Sequence, residues 1–280
     1  MNYKIVVDSS ADLLELEGVS FASAPLKIQA GAREFVDDAK LNVGEMVEYL
    51  KHYTGRSGTA CPSAGEWIDA FGDAECVFCI TITSNLSGSY NSAMVAKGEY
   101  EAAHPGRRVE VLDSLSTGPE MGLMAEKIRE LAEQGADFDS ICEKVRAYAD
   151  SVELLFTLGS LNNLANNGRV NPAVAKVCGV LGIRIVGKAT DGRLDPRHKC
   201  RGEKRSIQQM VAMMKELGYQ GGKIRISHCL NPNGAEAMCQ AIRAQWPDAP
   251  IAVGEARGLV SFYAELNGIL VAIETLYQRK

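Results

Sequence analysis

Hydroxyl and carboxyl side chains gather at four places in the first half of the chain, each just ahead of a helix pattern. They are VVDSSADL (6–13), GTACPSAGEW (58–67), ITSNLSGSYNSA (82–93) and VLDSLSTGPEMG (111–122). Ser, Thr, Asp and Gly at such positions cap helices by accepting hydrogen bonds from the first free amides. The same groups, with the helix dipole behind them, can hold a carboxylate or phosphate. Gly88 would let such a ligand come close to the backbone. The spacing fits neither the Walker phosphate loop nor the dinucleotide-binding fingerprint. Capping and an anion cradle both remain open for any single turn.

A serine nucleophile would need a base. The histidines are His52, His104, His198 and His228, and only His228 stands at the end of a predicted strand. No G-x-S-x-G is centred on these serines. No catalytic residue is assigned. Cys76 and Cys79 form a C-x-x-C, but they lie in the β-type run CVFCITIT, where residues three apart face opposite sides. They read as core cysteines. The His228–Cys229 pair supplies too few ligands for a metal. No metal site and no cofactor is expected.

The elements that must carry these turns alternate. Strand-like runs are YKIVV (3–7), VSFASA (19–24), CVFCITIT (76–83), RVEVLD (108–113), LLFTL (154–158), GIRIVG (182–187), KIRIS (223–227) and PIAVG (250–254). Met121, Met124, Ile128 and Leu131 repeat at helical spacing, and Phe138, Ile141, Val145 and Tyr148 do so in the next segment. Strands separated by helices predict an α/β fold, each unit a mostly parallel sheet flanked by helices. A boundary is expected near Asp150, giving domains 1–150 and 151–280. The final stretch GLVSFYAELNGILVAIETLYQRK (258–280) reads as a strand followed by a closing helix. Ligands of open α/β sheets bind beyond the carboxyl ends of the strands, where the hydroxyl-rich turns fall.

Composition narrows the class. The chain has 280 residues, a hydrophobic share of 46%, a charged share of 23% and a formal net charge of −5. These values describe a globular protein and argue against nucleic acid as a partner. No apolar stretch reaches the ~20 residues of a membrane span. The amino terminus lacks the regions of a signal peptide, so a cytoplasmic location is expected.

Taken in order, VVDSSADL, TACPS, ITSNLSGSYNSA, VLDSLSTG, LNNLANNGRV, DGRLDPRHKCRG and ISH resemble the DegV family of fatty-acid-binding proteins. The L-S-G-(S/T)-Y-x-(S/T)-A and L-x-x-L-x-x-x-G-R blocks are its specific parts. The resemblance implies two α/β domains with a long-chain fatty acid between them, its carboxylate on hydroxyls and its chain in an apolar tunnel. It places the carboxylate donors at Thr59 and Ser87, beside Gly88, and the cations at Arg169 and Arg201. Ser63, Ser84, His228 and Arg257 are secondary candidates. It also implies that the protein performs no chemistry itself, some members presenting the acyl group to an ATP-dependent kinase partner. About 15 buried methylenes at ~0.8 kcal/mol each would retain the chain without a strong ion pair. A binding protein or enzyme component for a small polar carboxylate or phosphate is the alternative.

Three features depart from the family pattern. TACPS has Ala60 and Cys61 where a polar pair is usual, and Asn167 precedes Gly168–Arg169. In GEARGLVSF, Ala256 aligns with the family's usual histidine and Arg257 stands beside it, which bears on kinase presentation more than on lipid binding. The segment DGRLDPRHKCRGEKR (191–205) is rich in Lys and Arg. It reads either as a solvated face or as a basic rim for an acidic partner or for transient membrane contact.

Overall fold

The computed structural model describes residues 3–178 and 182–275. The chain begins with β1 (Tyr3–Asp8), β2 (Ser20–Ala24), β3 (Lys27–Ala30), β4 (Arg33–Val36), α1 (Val43–His52), β5 (Ser57–Ala60) and α2 (Ala64–Phe71). It continues through β6 (Cys76–Thr81), α3 (Ser89–Ala103), β7 (Arg108–Asp113), α4 (Pro119–Glu133) and α5 (Phe138–Ala149). Then come β8 (Val152–Leu158), α6 (Asn162–Asn166), α7 (Pro172–Cys178), β9 (Ile183–Thr190), β10 (Arg193–Arg201) and α8 (Glu203–Glu216). The last elements are β11 (Ile224–His228), α9 (Pro232–Arg243), β12 (Ile251–Glu255), α10 (Gly258–Ala264) and β13 (Ile269–Glu274).

The first sheet has the order β2-β1-β6-β7 and is parallel throughout. Its central strands are buried on both faces, which is why IVV and CVFCIT read as unbroken apolar runs. Successive side chains alternate between two cores. Phe78 and Ile80 meet Ile128, Phe138 and Ile141 of α4 and α5, whereas Val77 and Cys79 meet Trp67, Phe71 and Tyr100 of α2 and α3. Cys76 and Cys79 accordingly separate into different cores, as the strand period requires. Strands β3 to β5 form a small antiparallel sheet of order β4-β3-β5.

The second sheet has the order β10-β9-β8-β13-β11-β12. A mostly parallel sheet was expected here, and that expectation is corrected: only β11 and β12 run parallel, and the other neighbours are antiparallel. β9 returns antiparallel to β8, and two further reversals add to this. Asp191 and Gly192, both at positive φ (49° and 72°), close a tight hairpin between β9 and β10. The carboxy-terminal stretch is helix then strand, the reverse of the expected order, and β13 enters antiparallel between β8 and β11. ILVAI is an apolar, largely branched run buried on both faces, and such a run makes a central strand. The last five residues of that stretch, 276–280, where the expected closing helix would end, fall outside the described residues.

Helix α4 lies between the sheets, packing on β1 and β6 from one side and on β8, β11 and β13 from the other. It therefore buries residues all round, including Met121, Leu123, Met124 and Ile128. Among the described residues, no helix is long and apolar enough to cross a membrane.

Candidate functional site

Beyond the carboxyl ends of β6 and β7 the two sheets flank a mostly apolar cavity. Leu26, Ile82, Leu86 and Leu115 line it from the first sheet's side. Leu154, Phe156 and Leu158 of β8, Ala189 of β9, Leu194 of β10 and Leu270 of β13 line it from the second. Leu259, Val260, Tyr263 and Ala264 on α10 close another wall. The polar lining residues include Thr59, Thr83, Ser87, Arg169 and Tyr263.

The turn carrying Ser87 is built by local hydrogen bonds. The amide of Thr83 donates to Ser116 O at 2.9 Å, and the amides of Leu86 and Ser87 both donate to Thr83 O. Helix α3 then starts with Gly88 as its cap residue, which offers no side-chain acceptor. Asp8, fully buried at the end of β1, anchors this start: its carboxylate accepts Ile82 N at 2.9 Å and Ser89 Oγ at 2.6 Å. Burial pushes the Asp8 pKa up, against the hydrogen bonds from Ser10, Ser89 and Ile82. The Ser87 hydroxyl accepts Ser89 N at 3.2 Å, which leaves its own proton free to donate.

Two segments of the second half grip this turn. Thr83 Oγ1 donates to Gly192 O and Asn85 Nδ2 to Asp191 O, each at 3.0 Å, so the β9–β10 hairpin tip rests on the Ser87 turn. A Cβ on Gly192 would lie 2.3 Å from Thr83 Oγ1, so the close approach requires glycine. From the other side, Arg169 Nε donates to Leu86 O at 3.2 Å and its guanidinium also donates to Asn167 O. Gly168, at φ 73°, ends α6 and turns Arg169 toward the cavity.

Thr59 reaches the cavity from β5, and its Oγ1 lies 2.8 Å from the Tyr263 hydroxyl. The Arg169 guanidinium carbon stands 5.9 Å from the Tyr263 ring centre, within cation–π range. Burial raises the Tyr263 pKa, opposed by the Thr59 hydrogen bond and the Arg169 charge, so the phenol keeps its proton at neutral pH.

Thr59, Ser87 and Arg169 thus line one cavity, with Gly88 next to Ser87. The other expected residues do not line it. Ser63 caps α2 in a capping box with Glu66. Ser84 is exposed, its amide donating to Asp113 Oδ1 at 3.1 Å. Arg201 is exposed at the end of β10. His228 is buried at the end of β11, its Nδ1 accepting Asn231 N at 3.2 Å, and desolvation lowers its pKa. Arg257 donates to Asp38 O, and Ala256 is buried with its amide on His228 O. Tyr263, Leu115 and the hairpin tip escaped the sequence reading, because each joins the site through a partner far away in sequence.

None of the histidines lines the cavity, and among the described residues no cluster of His, Cys, Asp or Glu could hold a metal ion. Neutral hydroxyls and the guanidinium groups of Arg169 and Arg193 among mostly apolar walls suit an apolar molecule with an anionic end.

The family model described as "Uncharacterised protein, DegV family" matches residues 2–274. A DegV domain-containing protein of Streptococcus pneumoniae is 39% identical over 279 residues, covering 98% of this chain and 99% of that protein. A DegV family protein from Eubacterium eligens, solved loaded with heptadecanoic acid, is 40% identical with a TM-score of 0.96. The Fatty Acid Kinase (Fak) B3 protein of Streptococcus pneumoniae, solved loaded with linoleic acid, is 39% identical with a TM-score of 0.95. Each of these two similarities covers 98% of this chain and 99% of the other. By the whole-chain match and by these relatives, the chain belongs to the DegV family.

Proposed function

We propose that this chain binds a long-chain fatty acid, with the carboxylate against Thr59, Ser87 and Arg169 and the acyl chain along the apolar cavity. The observation that carries the reading is that Thr59, Ser87 and Arg169 all line a cavity whose walls are mostly apolar, Leu above all. An acyl chain there gains about 0.8 kcal/mol per buried methylene, and the head group supplies orientation. Gly88 keeps the approach to Ser87 clear. The fatty-acid-loaded relatives from Eubacterium eligens and Streptococcus pneumoniae support the same assignment.

In this reading the chain carries the acyl group and an ATP-dependent kinase partner supplies the chemistry, which the likeness to the Fak B3 protein supports. Arg201, exposed near Lys199, Lys204 and Arg205, belongs to a basic outer rim for that partner or for transient membrane contact. The chain divides near Asp150 into a domain that bears the hydroxyl-rich turns and one that adds apolar walls and arginines. The free thiols of the described cysteines support a reducing, cytoplasmic setting.

Native mass spectrometry of protein purified from a bacterial host tests this reading. A mass increment matching a long-chain fatty acid, released by organic extraction, is expected. A bare chain after incubation with fatty acids overturns it. Thr59→Ala combined with Ser87→Ala is expected to weaken binding on the order of tenfold or more.

A further inference from the structure

We propose that Tyr263 is a positioning residue that turns the Thr59 hydroxyl outward, so that Thr59 gives its proton to the carboxylate of the bound ligand. The inference rests on the fatty-acid reading above and adds to it a residue from the opposite wall of the cavity.

Counting protons gives the argument its force. Thr59 and Tyr263 hold one hydroxyl proton each, and their 2.8 Å contact consumes one of the two. The proton left over decides which residue meets the ligand. A phenol is a stronger acid than an aliphatic alcohol, and hence the better donor and poorer acceptor of the pair. The Arg169 cation, 5.9 Å from the Tyr263 ring centre, accentuates this by drawing charge from the phenol oxygen. Tyr263 therefore donates to Thr59, and Thr59 donates onward.

The chain of donors Tyr263→Thr59→carboxylate polarises in one direction, each bond strengthening the next. Ser87 adds a second donor, since its oxygen already accepts from Ser89 N. The cavity then presents two directed protons and a guanidinium to one anionic end. A neutral end group accepts more weakly from the same donors, because hydrogen bonds to charged acceptors are roughly twice as strong.

The geometry also spans the molecule. Thr59 belongs to the small sheet of the first half, and Tyr263 stands on α10, which is 204 positions away in sequence. Reading the head group therefore depends on both walls of the cavity being in register.

Competition binding with a fluorescent fatty acid tests the inference, using a fatty acid and the fatty alcohol of equal length as competing probes. Tyr263→Phe retains the ring and is expected to weaken the acid on the order of fivefold while leaving the alcohol unchanged. In a Thr59→Val background, Tyr263→Phe is expected to add nothing. In a Thr59→Ser background, which keeps the hydroxyl, its full effect is expected. Unchanged acid affinity in Tyr263→Phe overturns the assignment. Equal loss of acid and alcohol also overturns it, because that marks a packing role. A wild-type protein that takes up neither probe overturns the fatty-acid reading itself, and this assignment with it.

Discussion

The Asp37 carboxylate receives the backbone amide of Leu259 at 2.8 Å, across 222 positions of sequence. Its other oxygen accepts the Gly258 amide at 2.7 Å. An acid just past β4 thereby caps α10, the helix that gives Leu259, Val260 and Tyr263 to the cavity wall. The carboxylate is buried, which raises its pKa, while the two amides and the Arg257 charge oppose that rise. Asp37→Ala leaves both amides buried without an acceptor and is expected to cost about 2–4 kcal/mol in denaturant unfolding. Asp37→Asn keeps one acceptor and is expected to cost about half as much. A loss below about 0.5 kcal/mol in the alanine variant would show that α10 is held by packing alone.

The neighbouring Asp12 predicts a pH dependence. Its Oδ1 accepts Arg257 N at 2.6 Å, and its Oδ2 is buried. Burial raises its pKa from 3.8 to about 7; the Arg257 amide, a hydrogen bond from Ser227 and the Arg257 charge oppose the rise, and Asp37 adds to it. A carboxyl with a raised native pKa binds more protons folded than unfolded. Its ionisation penalty is therefore complete above pH 7 and disappears as the pH falls toward 4. Asp12 sits at φ 57°, a conformation that Asn tolerates. Asp12→Asn is expected to exceed the wild type in thermal stability at pH 8, with the advantage shrinking as the pH falls and gone near pH 4. Parallel stability curves across that range would refute this role.

The parallel first sheet was legible because β1, β6 and β7 announce themselves as apolar runs between helices. Strands β3 and β4 were not, since KIQA and REFV are four residues long and half polar. β10 was read as a charged segment because it is an edge strand, where Arg193, Arg197, Lys199 and Arg201 face solvent. The site was legible in part for a similar reason. Ser87 and Gly88 stand in a self-contained turn, and Thr59 was marked by the family motif. Tyr263 looks like one more residue of an apolar strand in GLVSFYA until that segment folds as α10 and β5 packs against it.

Asn85 holds the hairpin tip without lining the cavity. Asn85→Ala removes one hydrogen bond between the Ser87 turn and the hairpin tip, worth about 1 kcal/mol, or roughly fivefold in ligand release. Stopped-flow displacement of a fluorescent fatty acid checks this, with equilibrium selectivity among ligands expected to stay unchanged. An unaltered release rate would mean that the ligand leaves by another route.

Ala189 is 8% exposed and lines the cavity from β9. Ala189→Phe is expected to fill space now available to the ligand, so that long-chain fatty acid is lost before fold stability. Native mass spectrometry and a thermal melt on the same sample read both. Ala189→Gly, which only enlarges the space, is expected to retain ligand.

Strand β13 lies between β8 and β11, although among the described residues it follows every other strand in the sequence. On the ribosome the first parallel sheet can assemble as its strands emerge, but β8 and β11 have no bridge until Glu274 has left the exit tunnel. A nascent chain stalled before Ile269 would carry the hydroxyl-rich turns with one cavity wall open to water. Closure of the cavity therefore waits on β13, a segment translated well after the turns it will face.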